Sequence, residues 1–331
     1  MCDIVISTMT KSQRKLLFWT AVLVFLVMSP LAVLYAVGYS FDFESHMFVK
    51  TSSLRFVANT NAEVFVNGKS WGGLSFFSKS LSKSRLLPGE YRIELRKPDF
   101  ITWSKTIHLD PSQFTDFPRI VLTPQNLKAD PIATISFDPQ AIALESGSLM
   151  AVSRTINKAQ KNQVLIPRVS LIDPGNASVS YVPTEQATSI LRGVEFDRIL
   201  PNYLDQAGHI IGDQLHIREF YGDGRVAWFN EKAVFITWPV ATAFQPFIKA
   251  FTTSSPILFD EPIREVAWHN DGEHLYVLSG TSLYFVDIDF RGTIQKNLIQ
   301  RNVQGKFAYS TEYKAIYWFN NNKLFKLNAD F

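Results

Sequence analysis

The hydrophobic pattern begins with one long apolar run. Leu16 to Gly38 forms 23 residues without a charged side chain, and at 1.5 Å per residue a helix of this length spans about 34 Å. That length crosses the hydrocarbon core of a membrane with some tilt. Trp19, Tyr35 and Tyr39 lie near the two ends, where amphipathic rings settle at membrane interfaces. The pattern predicts a transmembrane helix over residues 16–39.

Charges on the two sides of this run predict its orientation. A basic cluster within residues 11–15 precedes it, whereas Asp42 and Glu44 follow it. Basic flanks remain in the cytoplasm, so we expect residues 1–15 inside and the bulk of the chain outside. A cleaved secretory signal is the alternative, although cleavable apolar regions usually run about 7–15 residues. Both alternatives export the bulk of the protein.

Short segments with the pattern of β-strands follow the apolar run. In Ala62–Val66 apolar and polar positions alternate, and Asn67-Gly68 supplies the two positive-φ positions of a type I′ turn. A Pro-Gly turn precedes a strand with Tyr91, Ile93 and Leu95 on one face. These segments predict a small antiparallel β-sandwich over residues 40–124.

The order of these segments resembles a known family. The stretches AEVFVNGK, LLPGEYRIELRKPDFITWSKTI and IVLTP, within about residues 50–124, resemble the PEGA domain of bacterial and archaeal surface proteins. The Pro-Glu-Gly-Ala stretch that names the family is replaced by Asn59-Thr-Asn-Ala62. The resemblance implies a carbohydrate-binding or adhesive module in a membrane-anchored protein, and it implies no catalysis.

A repeat of about 40 residues occupies the rest of the chain. Trp228, Trp268 and Tyr309 are separated by 40 and 41 residues, which is the period of a four-stranded propeller blade. The repeat resembles WD-type and related bacterial propeller repeats, although the signature Gly-His and Trp-Asp pairs are missing. We therefore expect a linker at residues 125–131 and a four- or five-bladed β-propeller-like domain over residues 132–331.

The last repeat ends one strand short of a blade. After residues 323–327 the sequence stops, and closure needs a strand from elsewhere. Residues 131–137 are placed to supply it, which would remove two exposed sheet edges. We predict that they pair with the last blade, and their absence from it would make this prediction wrong.

The composition fits a mostly β protein and excludes some functions. Aromatic residues reach 14%, with 27 Phe, and such side chains suit pleated, half-buried surfaces. The net charge is only +3 without a dense basic stripe, so nucleic-acid binding is not expected. The single cysteine, Cys2, cannot form an internal disulfide. We predict no cofactor.

The titratable residues suggest little chemistry. One stretch collects acids and histidines, and it consists of Asp205, His209, Asp213, His216, Glu219 and Asp223. A metal site is conceivable there, but no metal-ligand spacing is present, so we predict a solvated region and no metal. His269 and His274 flank a turn and are expected at the surface, and so are Asp271 and Glu273. Asp287 and Asp289 are expected on a wet outer strand.

Aromatic residues are the better functional signal. Trp71, Phe76 and Phe77 follow the predicted hairpin, and Trp103 lies close to Phe100. Aromatic faces stack on sugar rings and anchor protein interfaces, so Trp71, Phe76, Phe77 and Trp103 are candidate contacts with a ligand or partner. The alternative is that they fill the core of the small sandwich, which needs large apolar residues.

Together these patterns predict a membrane-anchored, extracytoplasmic binding or structural protein of the cell envelope. Its expected partners are the membrane, envelope proteins and cell-wall glycan, and it is not expected to be an enzyme. We retain two alternatives. One is an exported hydrolase or lyase with a propeller-pocket active site, and the other is an accessory or sensory subunit of an envelope complex.

Overall fold

A computed structural model describes residues 11–331, apart from 44, 138, 140, 146–147, 158–163, 183–215, 221, 223 and 242–247. Within this described part the chain has one helix and 26 strands in seven sheets. The protein is mostly β, with an N-terminal apolar helix, a β-sandwich and a propeller-like series of four- and five-stranded sheets. This confirms the predicted fold class.

The helix α1 (Lys11–Ala36) is long and apolar enough to cross a membrane by length and composition. It begins five residues before, and ends three residues before, the predicted span of 16–39. Gly38 follows it with a φ of 91°, a conformation that glycine adopts without strain. A hairpin of β1 (Tyr39–Asp42) and β2 (Met47–Lys50) comes next.

Seven strands form the sandwich. They are β3 (Ser52–Ala58), β4 (Glu63–Val66), β5 (Lys69–Gly73), β6 (Ser80–Leu86), β7 (Gly89–Arg96), β8 (Trp103–Leu109) and β9 (Phe114–Ile120). One sheet has the order β6-β3-β9 and the other β5-β4-β7-β8. Asn67 and Gly68, with φ values of 49° and 77°, connect β4 to β5 as predicted.

One pairing corrects the prediction of a purely antiparallel sandwich. β9 lies parallel to β3, with Leu54 opposite Thr115 and Phe56 opposite Phe117. Parallel neighbours need a long connection between them. Here the chain passes through the other sheet between β3 and β9, and that passage supplies the connection.

The remaining strands form four sheets. They are β10 (Ala129–Thr134), β11 (Ala141–Glu145), β12 (Ser148–Asn157), β13 (Val164–Ile172), β14 (Val179–Val182), β15 (His216–Phe220), β16 (Val226–Phe229), β17 (Ala233–Trp238), β18 (Thr252–Thr253), β19 (Ile257–Leu258), β20 (Ile263–Trp268), β21 (His274–Ser279), β22 (Ser282–Asp287), β23 (Lys296–Gln300), β24 (Phe307–Ser310), β25 (Ala315–Asn320) and β26 (Lys323–Asn328). β11 to β14 form the first sheet, β15 to β19 the second and β20 to β23 the third. Trp228, Trp268 and Tyr309 lie in β16, β20 and β24, so the predicted 40-residue period recurs at one strand in each of the second, third and last sheets.

The last sheet has the order β10-β26-β25-β24. β10 pairs with β26, with Ala129 opposite Leu327 and Thr134 opposite Lys323. This confirms that a strand near the start of the repeat region completes the last sheet. The strand begins earlier than predicted, so residues 129–131 belong to the sheet and the linker is shorter than 125–131.

Candidate functional site

The sandwich contacts the third sheet of the repeat region through its edge strand β8. The Trp103 Nε1–H donates to Asp287 Oδ2 at 3.1 Å, and Lys105 Nζ donates to the same oxygen at 3.2 Å. Lys105 Nζ also donates to the Asp289 carbonyl oxygen at 2.6 Å. We call this contact the junction, and we define it as Trp103, Lys105, Arg119, Asp271, Glu273, Asp287 and Asp289.

The charges at the centre of the junction are removed from water. The side chain of Lys105 is 0% exposed, and those of Asp287 and Asp289 are 12% and 4% exposed. Burial by itself would raise the pKa of Asp287, but the charges of Lys105 and His274 hold it below its usual value. A buried charge is tolerated only when it is paired. The sandwich therefore supplies Lys105 as the counter-charge of Asp287, whereas Asp289 also pairs with Arg291 of its own domain.

This finding corrects the expectation for Asp287 and Asp289. They were expected on a wet outer strand, but the edge of the sandwich covers this part of β22. Hydrogen bonds of the Gln295 side-chain amide lie beside the ion pairs. Gln295 Oε1 accepts from the Ser104 amide at 2.8 Å, and Gln295 Nε2 donates to the Thr102 carbonyl at 2.9 Å.

The backbones of the two domains also approach closely. A Cβ atom on Gly292 would lie 2.1 Å from the Thr106 carbonyl oxygen in β8. No side chain fits there, so glycine is required for this approach. The Gly292 φ of 83° adds a second reason for glycine.

A second part of the junction is the turn between β20 and β21. The Nδ1 atoms of His269 and His274 lie 3.0 Å and 2.8 Å from the two carboxylate oxygens of Asp271. His269 and His274 are buried, at 5% and 2% exposure, which corrects their expected place at the surface. Their rings pack against Phe285.

The electrostatics of this turn favour a charged pair. Burial by itself would raise the pKa of Asp271, but the charge and hydrogen bond of His274 and the adjacent His269 imidazole hold it far below its usual value. Burial lowers the pKa of His274, and the Asp271 carboxylate more than offsets this, so the pKa of His274 is raised. The carboxylate therefore stays ionised between two rings that it orients.

Glu273 behaves differently from Asp271. Its side chain is 3% exposed, and burial raises its pKa to about 9 against the opposing charge of Arg119. Arg119 Nη1 donates to Glu273 Oε1 at 2.8 Å and to the Asp271 carbonyl at 2.9 Å. Arg119 is 54% exposed, so solvent screens its charge. Glu273 therefore holds its proton at neutral pH.

The turn also contains the donor atoms of a three-ligand group. In the described part of the chain, His269, Asp271 and His274 are the group whose ligand atoms all lie within 4.8 Å of one another. Asp271 Oδ1 already accepts from the Glu273 amide at 2.8 Å, and Oδ2 lies against His274. We therefore assign these residues to stabilising the turn. The acid and histidine stretch between Asp205 and Asp223 lies outside the described side chains.

The four predicted contact residues fall into three environments. Phe76 and Phe77 are 76% and 94% exposed, with ring centroids 5.5 Å apart in an edge-to-face arrangement. Trp71 is partly buried against the sandwich core. Trp103 is 2% exposed and belongs to the junction, so it is not a surface contact. Only the two phenylalanines are placed to meet a ligand, and that role stays a prediction.

The loop that carries Phe76 and Phe77 lies away from the junction. It connects β5 to β6, which are the edge strands opposite β8 and β9 in the two sheets. β6 then runs to Arg85, whose guanidinium lies 3.5 Å from the Tyr35 ring near the end of α1. The five residue-to-residue steps of strand from Ser80 to Arg85 span about 17 Å. The pair is thus separated from the helix end as well as from the repeat region.

Lys105 and Arg119 were missed by the sequence analysis, although Lys105 carries a signal. Positions 103, 105, 107 and 109 of β8 all point inward. A strand that alternates in this way places Lys105 on its apolar face. A lysine at such a position indicates a buried counter-charge elsewhere in the chain.

Comparisons with known proteins do not assign a family. No protein-family model matches the chain, and no curated protein matches it. Among solved structures, the chain is similar to the extracellular domain of a hybrid two-component system from B. thetaiotaomicron, with 7% identity and a TM-score of 0.27. That match covers 88% of this chain and 31% of the other, so this chain spans about a third of that domain.

A second similar structure is named as a gluconolactonase. It has 10% identity and a TM-score of 0.24, and the match covers 72% of this chain and 71% of that one. Both TM-scores are too low to support an inference about activity. The resemblance to PEGA domains stays a prediction.

Proposed function

We propose that this protein is a membrane-anchored, extracytoplasmic binding protein of the cell envelope, which contacts a protein or a cell-wall glycan through Phe76 and Phe77. In this proposal α1 crosses the membrane with residues 1–15 in the cytoplasm. The PEGA-like sandwich presents the contact pair, and the repeat region is a propeller-like platform fixed to it.

The exposed Phe76–Phe77 pair is the observation that carries this proposal. Two adjacent rings at 76% and 94% exposure bury little apolar area in the protein itself. Aromatic side chains, Phe included, are enriched at protein interfaces, and aromatic faces stack on sugar rings. The loop lies opposite the junction, so a partner can reach it without displacing the repeat region.

The junction supports a binding function and not a catalytic one. Its carboxyl groups are buried and are engaged with Lys105, Arg119 and the neighbouring imidazoles. A general acid or base must reach the proton that it transfers. The buried and mutually paired groups instead support a role in holding the two domains in a fixed arrangement.

The test is capture of partners by the full-length protein in detergent. Purified cell-wall glycan and crosslinked envelope proteins are the two probes. The double variant Phe76→Ser/Phe77→Ser should lose capture, whereas Phe251→Ser/Leu258→Ser should retain it. Phe251 and Leu258 are 53% and 62% exposed in the repeat region, so they are matched controls for apolar exposure. Equal capture by both double variants would refute the contact role.

The orientation has a separate test. Cys2 is the single cysteine of the chain and precedes α1. In intact cells a membrane-impermeant maleimide should leave Cys2 unlabelled, and permeabilisation should allow labelling. Labelling of intact cells would overturn the orientation. Loss of the N-terminal peptide from the mature protein would identify a cleaved signal.

A further inference from the structure

The β1–β2 hairpin presents an aromatic face that the rest of the described chain leaves exposed. Phe41 is paired with Phe48, and these side chains are 36% and 44% exposed. Phe43, in the turn, is 80% exposed. The Phe41 ring lies 5.2 Å from that of Phe43 and 5.3 Å from that of Phe48, in edge-to-face contacts. The three rings form one continuous apolar surface.

Charged and amphipathic residues border this surface. Tyr39 is paired with Lys50, and Lys50 Nζ lies 5.9 Å from the centre of the Tyr39 ring. The opposite face of the hairpin carries Ser40 and Asp42, which are out of phase with the aromatic positions. One face is thus aromatic with a basic edge, and the other combines Ser40 and Asp42 with their apolar cross-strand partners Val49 and Met47.

The hairpin forms a sheet of its own. Its two strands pair with each other and with no other strand in the described residues. An isolated two-stranded hairpin is at best marginally stable in water and needs a further surface to pack on. The aromatic face therefore indicates a contact outside the chain.

The position of the hairpin next to α1 indicates which surface outside the chain it contacts. Its first strand starts at Tyr39, three residues after α1 ends at Ala36. The Thr51 amide and hydroxyl both donate to the Gly38 carbonyl oxygen, at 2.9 Å and 2.8 Å, and so attach the end of the hairpin to the end of the helix. An apolar helix that spans a bilayer ends at the lipid–water interface. The hairpin is held at that level.

We propose that the aromatic face of the β1–β2 hairpin inserts into the interfacial layer of the lipid bilayer beside α1. Phe41, Phe43 and Phe48 contact the boundary between headgroups and acyl chains, where the apolar faces of interfacial segments carry such side chains. Lys50 reaches the lipid phosphates. The hairpin thereby gives the protein a second membrane contact, which restricts the tilt of the sandwich relative to the bilayer. This inference rests on the proposed membrane anchor.

The test measures the depth of single spin labels in the full-length protein, reconstituted into vesicles of phosphatidylcholine and phosphatidylglycerol. With Cys2 replaced by serine, labels are placed at Phe43→Cys, at Val24→Cys in α1 and at Phe77→Cys as an exposed aromatic control. Dissolved oxygen reports lipid exposure, and a water-soluble nickel chelate reports aqueous exposure. We expect lipid exposure at positions 24 and 43 and aqueous exposure at position 77.

The other outcomes separate the two proposals. A lipid-exposed label at position 24 with an aqueous one at position 43 would overturn the hairpin contact and leave the anchor intact. Aqueous labels at both positions would overturn the anchor and the hairpin contact together. A label at position 43 that is shielded from both reagents would indicate a protein neighbour, such as a second copy, and would also overturn the inference.

Discussion

The two sides of the β-sandwich place charged and aromatic residues in opposite ways. On the β8 side, Lys105 is completely buried between Asp287 and Asp289. On the side of the β5–β6 loop, Phe76 and Phe77 are almost fully exposed. Buried charges and exposed aromatic rings both depart from the usual distribution of residues. Each of these unusual placements marks a site of contact. At the junction the contact is made between the two domains, and at the loop the aromatic rings are exposed for contact with a partner.

The largest expected effect comes from breaking the ion pairs of the junction. Lys105→Met keeps the apolar part of the side chain and leaves the buried Asp287 carboxylate without its lysine partner, whereas Asp289 keeps its pair with Arg291. Removal of one partner from a buried pair costs about 3–5 kcal/mol, and we expect a loss of this size in the free energy of unfolding, measured by denaturant titration. The matched control is Lys314→Ala, whose pair with Asp330 is 49% and 70% exposed. It should cost less than about 1 kcal/mol, and similar losses in both variants would contradict the role of Lys105.

A smaller effect should follow from obstructing the close approach at Gly292. The added Cβ of Gly292→Ala meets the Thr106 carbonyl oxygen, and overpacking of this kind costs about 1–3 kcal/mol. Gly305→Ala is the control, because Gly305 also has a positive φ, of 71°, and its nearest atom lies 3.8 Å from the built Cβ. The difference between the two variants isolates the contact between the domains from backbone strain. If Gly292→Ala is no more destabilising than Gly305→Ala, the domains do not approach as described.

The next effect concerns pH. The pKa of Glu273 is about 9 in the folded protein and has an ordinary value of 4.5, so the folded state binds more protons between these values. Stability from this group is therefore present at low pH and falls as pH rises from about 4.5 to about 9, by at most about 1.4 kcal/mol per pH unit. The raised pKa of His274 acts in the same direction above its ordinary value of 6.5.

Glu273→Gln should flatten the dependence of the free energy of unfolding on pH, measured by denaturant titrations at several pH values. Glu90→Gln, at an exposed carboxyl, should retain the slope of the unmodified protein. If Glu273→Gln leaves the dependence of stability on pH unchanged, burial does not raise the pKa of Glu273 as described.

The smallest effect on stability should come from the exposed side. Phe76→Ser/Phe77→Ser removes rings that pack mainly on each other, so the free energy of unfolding should change by less than about 0.5 kcal/mol. Thermal unfolding of the variant beside the unmodified protein checks this. A large loss would show that the pair is part of the core and would argue against a surface kept for a partner.

Local sequence signals predicted much of the fold. The Asn67-Gly68 turn and the 40-residue period can each be recognised from the sequence alone, and both are found in the structure. The completion of the last sheet by β10 was also predictable, because the last repeat lacked a strand. The parallel pairing of β3 with β9 was not, since register between distant strands depends on the packing of both sheets.

The site was less accessible to sequence analysis. Lys105 and Asp287 are 182 residues apart, and nothing in either segment specifies the other as its partner. The alternation of β8 does place Lys105 on the inward face, which indicates that a counter-charge exists without identifying it. His269 and His274 were misplaced for the same reason. A turn motif predicts local geometry but gives no information on whether another domain covers it.

The central claim is that the junction holds the sandwich and the repeat region in one fixed arrangement. Paramagnetic labels at Ser84→Cys in β6 and Lys323→Cys in β26, with Cys2 replaced by serine, would measure the distance between the domains in the full-length protein. We predict a narrow distance distribution that broadens when Lys105→Met is added. A broad distribution with Lys105 present, or one that Lys105→Met leaves unchanged, would contradict this claim.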